Sequence, residues 1–291
     1  MDTTIDSSVR DYFNLLKPRV MTLVVFTGVC GMLMAPGLDA LHPFLAVIAI
    51  LALAIGAGAA GAVNMWYDRD IDAIMNRTKE RPIPAGKIPH AEGLAFAIIM
   101  CLLSVMMMGL ALNWVASGLL AFAILFYAVI YTMWLKRSTP QNIVIGGAAG
   151  AFPPMIGWAA VTGSVTIEGL ILFAIIFFWT PPHFWALSLF ANSDYKAASI
   201  PMMTVTHGAK YTKIQMIIYT LLLFAVCLCP YFYGMAGWEY LVATCILNGL
   251  FILSAIQTYK EKDGQFKSAR LMFGYSIFYL FAIFTALIVF G

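Results

Sequence analysis

Long apolar runs dominate this sequence and restrict the possible folds to a helical membrane bundle. Hydrophobic residues make up 62% of the 291 residues and charged residues 11%, and the mean hydropathy is +0.87. Because a span needs about 20 apolar residues, we predict an all-α, polytopic membrane protein with nine transmembrane helices in one domain, residues 1–291. The runs are Val20–Met34, Phe44–Trp66, Leu94–Leu112, Ser117–Leu135, Ile143–Val161, Ile167–Phe190, Ile214–Tyr233, Trp238–Gln257 and Leu271–Gly291.

The positive charges predict how these spans are oriented. All 17 Lys and Arg residues lie before the first run or in the segments that follow the second, fourth, sixth and eighth runs. Positive residues concentrate on the cytoplasmic side of membrane proteins. We therefore expect a cytoplasmic N-terminus and a C-terminus on the opposite side. The net charge of +3 then reflects topology, and we expect a lipid bilayer as a partner and no nucleic acid.

Two charged segments, residues 67–91 and 191–213, are long and resemble each other. They follow spans that lie four apart, and in each an aspartate leads on to proline, Asp68 to Pro82 and Asp194 to Pro201. We interpret this as a weak internal duplication: two parallel four-helix halves plus a last helix, around a central cavity. Long loops in compact proteins are often functional, so we expect both to cap an active site that faces the cytoplasm.

A row of oxygen ligands begins at the end of the second span and continues into the first of these segments. Asn64, Asp68 and Asp72 recur every four residues and share one face of a helix. Mg²⁺ prefers such ligands, with substrate phosphates completing its shell, and Arg77 and Arg81 are suited to gripping a diphosphate. The row predicts a Mg²⁺–diphosphate site, against the simpler interpretation of a solvated loop.

Other loop residues extend this hypothesis. Asp194 is a candidate carboxylate ligand for a second Mg²⁺. Lys196 is a candidate hydrogen-bond donor to a phosphate group of the substrate. Asp70 is about 200° round the helix from Asp68, so we expect it on the loop surface, paired with Arg69.

Four residues at the ends of the fourth and fifth spans are further candidates. Tyr131 and Lys136 are expected to point towards the same cytoplasmic mouth as the aspartates, with Arg137 following. Asn142, at the start of the fifth span, is expected to face that mouth too. For Lys136 and Arg137, simple anchoring of the span by positive charge is the competing interpretation.

The sixth span contains W-T-P-P-H-F-W, Trp179–Trp185. The two prolines are expected to break the helix and free backbone carbonyls. His183 then lies inside the membrane, where an ionisable residue indicates function by default. We predict that it lines a binding cavity or contacts a porphyrin; a packed, neutral histidine bonded to a freed carbonyl is the alternative.

These motifs together resemble the UbiA-type intramembrane prenyltransferases. The likeness rests on the row Asn64 to Asp72 with its tail Arg77–Pro82. Within the family, the sequence resembles the members that prenylate haem. That narrower likeness rests on the strings Lys136–Trp158, Trp179–Ser188 and Asp194–Met202. The family's second motif commonly has an aspartate where this chain has Ala198. Two alternatives follow: one metal suffices, or Asn192 and Lys196 substitute for part of the second site.

The resemblance implies a reaction, its substrates and its cofactor. Farnesyl diphosphate would donate its farnesyl group to a vinyl group of haem b, with water added, in a bacterial inner membrane, and proteins of haem A synthesis or terminal oxidase assembly would act downstream. Mg²⁺ would be the cofactor. The implied metal ligands are Asn64, Asp68, Asp72 and Asp194; the implied catalytic residues are Asp68, Asp72, Arg77, Arg81 and Lys136; the implied substrate-binding residues are Asn64, Tyr131, Arg137, Asn142, His183 and Lys196.

Two alternatives remain open at this point. One is prenylation of a quinone or chlorophyll precursor, against which the haem-type strings argue. The other is a secondary transporter that uses the aspartates for cation coupling. Against it, the carboxylates lie at one mouth together with Arg77 and Arg81, whereas transporter sites lie near the bilayer midplane.

Overall fold

A computed structural model describes residues 7–262 and 264–291, without the side chain of Arg19. All regular elements in these residues are helical, which confirms the predicted class. A 3-10 turn, Leu38–Ala40, and a π-helix, Phe126–Leu135, accompany the α-helices. In chain order these are α1 (Val9–Leu15), α2 (Pro18–Leu33), α3 (Pro43–Tyr67), α4 (Arg69–Ile74), α5 (His90–Ala111), α6 (Trp114–Leu125), α7 (Lys136–Ser138), α8 (Asn142–Thr162), α9 (Ile167–Phe190), α10 (Asn192–Ala197), α11 (Met203–Thr206), α12 (Gly208–Phe232), α13 (Trp238–Lys260) and α14 (Lys267–Phe290).

Eight helical stretches in the described ranges are long and apolar enough to cross a membrane. They are α3, α5, the continuous stretch Trp114–Ser138, α8, α9, α12, α13 and α14. A ninth is counted only if α1 and α2, which are bent by 60° relative to each other, form one span. The multi-pass architecture is therefore confirmed, whereas the count of nine, the two halves and the central cavity stay predictions.

The two long loops contain short helices and contact each other. Helix α4 lies in the loop between α3 and α5, and α10 and α11 lie between α9 and α12. Asn76 of the first loop donates a hydrogen bond to the Asp194 carboxylate of the second, at 3.2 Å. We call this region, where α3 and α9 end, the charged end of the bundle. A buried apolar cluster beneath it joins both loops to the start of α8: Ile71, Met75, Ile143, Tyr195, Ala198, Ile200 and Met202.

The prolines inside the spans do not interrupt their helices, so this expectation was wrong. Helix α9 runs without a break through Pro181 and Pro182, and α8 through Pro153 and Pro154. Each proline removes only one backbone N–H, and both helices are buried along much of their length by their neighbours. The surrounding bundle therefore holds the helical path where an isolated helix would kink.

Glycines bring α2 and α8 into close contact. A Cβ atom on Gly31 would overlap the backbone of Pro154, and one on Gly157 would overlap the carbonyl of Gly28. Small residues at such crossings let helix backbones approach each other in membranes.

The π-helix lies next to the charged end. Residues Phe126–Leu135 continue α6 with a wider turn before α7. Such segments are rare and frequently occur at functional sites. This one carries Tyr127, Tyr131 and Thr132, and it leads directly to Lys136.

Candidate active site

Asp68 is enclosed at the end of α3, with 0% of its surface exposed. Its carboxylate accepts hydrogen bonds from Lys136 Nζ at 2.5 Å and Asn64 Nδ2 at 2.7 Å, and a weaker contact from Arg137 at 3.3 Å. A buried carboxylate needs such partners, because burying an uncompensated charge is strongly unfavourable. The structure thus brings Lys136 and Arg137 onto the first aspartate of the predicted row.

Asp72 lies one turn further on and is 1% exposed. Its Oδ2 atom accepts a hydrogen bond from Arg81 at 2.6 Å. Its backbone carbonyl accepts one from the Thr78 hydroxyl at 3.0 Å, which holds the segment after α4 against the aspartate. Gly86 closes that segment with a φ of +70°, a conformation that glycine adopts without strain. The turn residues therefore return Arg81 to the carboxylate row.

Asn64 contacts Asp68 through its amide nitrogen. Its Oδ1 atom accepts a hydrogen bond from Lys17 Nζ at 2.6 Å, and Nδ2 also donates to the Thr132 hydroxyl at 3.1 Å. An ammonium only donates and a carboxylate only accepts, so the two neighbours fix which way the amide points. The oxygen that the sequence predicted as a metal ligand is bonded to Lys17 in this arrangement.

Lys17 is a member of this cluster that was not predicted from the sequence, because its charge was interpreted only as topological. It interacts electrostatically with Asp68, Asp72, Arg81 and Lys136. Its backbone adopts the left-handed conformation, with φ 54°, at the break between α1 and α2. This break places the side chain against the end of α3.

A groove on α3 receives this break. A Cβ on Gly58 would come within 3.1 Å of Leu16, and one on Gly61 within 3.3 Å of the Lys17 side chain. Gly58, Gly61 and Asn64 are spaced by three residues and share one helix face. That spacing could have predicted the contact from the sequence, because two glycines on the same helix face as Asn64 allow another backbone to approach that face.

Asp70 pairs with Arg137 and not with Arg69, as the sequence had led us to expect. The Arg137 guanidinium donates to both carboxylate oxygens, at 2.7 and 2.8 Å. This hydrogen bonding lowers the pKa of Asp70 from 3.8 to about 2. Arg69 instead donates to the Trp66 carbonyl at 2.8 Å. The Asp70 side chain is 60% exposed, so its place on the surface was predicted correctly and its partner was not.

Tyr131 forms part of an aromatic wall beside these charges. Its ring stacks on Tyr127 with 5.6 Å between centroids and 8° between planes. It lies so close to Gly146 of α8 that any Cβ there would overlap the ring. Both tyrosines interact electrostatically with Asp68 and Arg77. The wider turn of the π-helix thus turns two stacked rings towards the carboxylate site.

The second loop contributes less than the first. Asp194 is half-buried and bonded to Asn76, and Lys196 is exposed. Tyr195 is buried next to Arg77; burial raises the pKa of its phenol, and the guanidinium partly offsets that rise. The structure brings the second loop to Arg77 through Tyr195, while Asp194 lies at its contact with Asn76.

Asn142 is fully enclosed at the start of α8, with 0% exposure. Its Nδ2 donates to the Thr139 carbonyl at 2.7 Å. Its Oδ1 has no hydrogen-bond partner within the ranges that the structure describes. Buried polar atoms are normally paired, so this oxygen is available to a ligand or to water.

His183 lies apart from the acidic cluster, packed between α9 and α14. Its Nδ1 atom is 2.6 Å from the Ser276 hydroxyl, and its ring stacks against Trp179 and Phe273. The hydrogen-bond partner is a hydroxyl and not a backbone carbonyl freed by proline.

The charges of the cluster fit an anionic ligand together with a metal ion. Lys17, Arg81, Lys136 and Arg137 lie around Asp68, Asp70 and Asp72, so the cluster has one positive charge in excess. Arg77 lies beside the adjoining Tyr131 and Tyr195. No three His, Cys, Asp or Glu side chains converge on one point in the part of the chain that the structure describes. Two carboxylates suffice for Mg²⁺ when substrate phosphates complete its shell. The donor set of Asp68 and Asp72 therefore fits a Mg²⁺–diphosphate pair.

Curated relatives cover almost the whole chain. Protoheme IX farnesyltransferase of Rhizobium johnstonii is 57% identical over 286 residues, which are 98% of this chain and 90% of that protein. The protein of the same name from Hyphomonas neptunium is 56% identical over 292 residues, covering 97% of this chain and 92% of that one.

Solved structures share the fold. A digeranylgeranylglyceryl phosphate synthase superposes with a TM-score of 0.80 at 20% identity, over 97% of each chain. A UbiA homologue from Archaeoglobus fulgidus, bound to GPP and Mg²⁺, gives 0.65 at 18% identity, over 94% of this chain and 99% of that one. Residues 24–277 match the UbiA prenyltransferase family. The chain therefore belongs to the UbiA prenyltransferase family.

Proposed function

We propose that this chain is a protohaem IX farnesyltransferase. It transfers the farnesyl group of farnesyl diphosphate to a vinyl group of haem b, with addition of one water, and yields haem O and diphosphate. The observation that carries this proposal is the net positive cluster around two enclosed carboxylates at the end of an apolar bundle. Relatives of that name that are more than half identical support the choice of substrates.

Asp68 and Asp72 hold Mg²⁺ in this proposal, with Asn64 and Asp194 as further oxygen donors. The metal, when bound, neutralises charge on the leaving diphosphate. Asn64 Oδ1 is bonded to Lys17, so its participation requires Lys17 to move away. Otherwise Asn64 acts by orienting Asp68 through Nδ2. Asp194 is held near this site by the hydrogen bond that it accepts from Asn76, a contact that keeps the second loop over the first.

The surrounding cations bind the diphosphate. Arg77 and Arg81 offer forked donors, and Lys136, Arg137 and Lys17 add positive charge close to the carboxylates. As the C–O bond of farnesyl diphosphate ionises, negative charge builds on the leaving group. Fixed donors aimed at that charge stabilise the transition state more than the ground state. No protein nucleophile is needed for this step.

The allyl cation must be shielded from water until the vinyl carbon attacks it. The apolar helices below the charged end exclude water. Tyr127 and Tyr131 place stacked rings beside the same carboxylates, and an aromatic face attracts a cation. Asn142 offers an unpaired buried oxygen at this end for water or for the acceptor, and Lys196 offers a charge to either substrate. Water then captures the cation left on the haem side chain.

In this proposal the charged end faces the cytoplasm of a bacterial inner membrane, since all Lys and Arg residues lie in the segments expected there. The net positive cluster favours an anionic substrate over the cation coupling of a transporter. The experiment is an acceptor competition: purified protein in liposomes receives labelled farnesyl diphosphate, Mg²⁺, haem b and a quinone precursor in equal amounts. Farnesylated, hydrated haem is the expected product. Labelled quinone precursor, or no labelled product from folded protein, would contradict the proposal.

A further inference from the structure

We propose that His183 binds the iron of haem b through Nε2 and thereby positions the acceptor. This inference rests on the proposed function only in taking haem b as the substrate. It is argued from the packing of the ring, from its tautomer and from the chemistry of its neighbours.

The imidazole ring of His183 is held by aromatic contacts on both faces. Trp179 stacks on it at 4.3 Å and 19°, and Phe273 at 4.7 Å and 24°. Phe184 meets it edge to face at 5.1 Å and 86°. Only 8% of the residue remains exposed. With its faces covered, the ring can present only an edge to a ligand.

Hydrogen bonding determines which edge is free. The Ser276 hydroxyl is 2.6 Å from the Phe273 carbonyl and 2.6 Å from His183 Nδ1. A carbonyl oxygen only accepts, so the single hydroxyl hydrogen lies on the bond to Phe273. The serine oxygen must then accept from Nδ1–H. The proton of the neutral imidazole is on Nδ1, and Nε2 carries a lone pair.

Nε2 has no hydrogen-bond partner among residues 7–262 and 264–291. An imidazole with one nitrogen hydrogen-bonded and the other free is the arrangement of metal-ligating histidines, in which the bonded group fixes tautomer and orientation. Trp179 also fixes the position of Ser276, because its Nε1 donates a hydrogen bond to the Ser276 carbonyl at 2.8 Å. A histidine kept only for packing has no need of two contacts to one serine on another helix.

The neighbours on α14 suit a flat macrocycle with carboxylates at one side. Arg270, Phe273 and Ser276 follow at intervals of three and share one helix face. The Arg270 guanidinium lies 5.6 Å from the ring centre of Phe190, which contacts Phe273 at 5.9 Å. His183 is seven residues from the end of α9, about 10 Å along the helix. A haem on His183 would therefore have aromatic rings beside it and a cation on the side of the charged end.

The test is spectroscopic and uses the whole protein in detergent without farnesyl diphosphate or Mg²⁺. Titration with ferric and ferrous haem b is expected to give a histidine-ligated spectrum in the wild type. His183→Ala should lose that spectrum and bind haem at least about tenfold more weakly, and imidazole added to the buffer should restore the spectrum. His207→Ala, in an exposed loop, is the matched control and should behave as wild type.

Two more variants separate ligation from packing. His183→Gln keeps a polar side chain of similar length but supplies no imidazole nitrogen, so it should also lose the spectrum. Ser276→Ala should keep ligation with a shifted iron–histidine stretching frequency, because Ser276 positions the ring without touching haem. Farnesyl diphosphate binding should be unchanged in all of them, which shows that they fold.

Two results would overturn the inference: a wild-type spectrum without histidine ligation, or a His183→Ala spectrum and affinity equal to wild type. The proposed function fails separately. It would be refuted if the wild type ligated haem through His183 and yet formed no farnesylated haem when given farnesyl diphosphate and Mg²⁺.

Discussion

Lys17 Nζ donates a 2.6 Å hydrogen bond to Asn64 Oδ1, and this contact ties the break between α1 and α2 to the carboxylates at the end of α3. The amide of Asn64 links Lys17 to Asp68, because its nitrogen donates a hydrogen bond to the Asp68 carboxylate. One ammonium thus orients the amide that orients the first carboxylate. The relationship makes the segment before α2 part of the charged cluster at the end of α3.

Replacement of Lys17 by Met should lower the efficiency of farnesyl transfer. The change removes a hydrogen bond to a charged group, and such bonds contribute about 1.5–3 kcal/mol, which corresponds to roughly a 10- to 100-fold loss in kcat/KM. Arg10→Met removes the same charge from an exposed position of α1 and is the control. Equal activity of the two variants would return Lys17 to a purely topological role. The measurement is the steady-state rate of farnesyl transfer by the two variants in detergent.

Asp70 should stabilise the fold above about pH 4 and not at low pH. Its pKa is lowered from 3.8 to about 2 by the Arg137 hydrogen bond, so its contribution to stability is complete above about pH 4 and is lost as the pH falls through about 2. Because the carboxylate is 60% exposed, the gain is below about 1 kcal/mol. Comparing unfolding of wild type and Asp70→Asn at about pH 5 and pH 2.5 measures it. A stability difference between wild type and Asp70→Asn that grows towards low pH would contradict the lowered pKa of Asp70.

Gly31→Ala should destabilise the bundle. The new Cβ would overlap the Pro154 backbone, so α2 and α8 must separate, at a cost of about 1–3 kcal/mol. Gly150→Ala is the control, since its Cβ would meet nothing within 4 Å and removing a helical glycine stabilises by up to about 1 kcal/mol. Thermal unfolding in detergent should show opposite signs for the two variants. A Gly31→Ala protein as stable as wild type would show that this crossing is not close.

The sequence predicted the coarse features of this protein and missed those that depend on tertiary contacts. Apolar runs and charged segments gave the long helices, because hydropathy and the positive-inside bias act on each segment alone. Lys17 was missed because its role needs the glycine groove of α3 and a backbone break that no local pattern announces. The prolines of α9 led to the wrong prediction of a helix break, because packing against neighbouring helices determines whether the helix continues. Asp70 was placed correctly on the surface, but its partner Arg137 lies 67 positions away along the chain.

The central claim is that Asp68 and Asp72 are the carboxylates on which farnesyl transfer depends. The most direct measurement is the rate of farnesylated haem formation, by mass spectrometry, for wild type, Asp68→Asn, Asp72→Asn and the exposed control Asp39→Asn. All four proteins receive farnesyl diphosphate, haem b and Mg²⁺, with a chelator as a parallel arm; Asp39 serves as the control because it is exposed and lies outside the charged cluster. We predict a loss of at least about a hundredfold in the first two variants and near wild-type rates in the third. Wild-type rates in Asp68→Asn or Asp72→Asn would contradict the account.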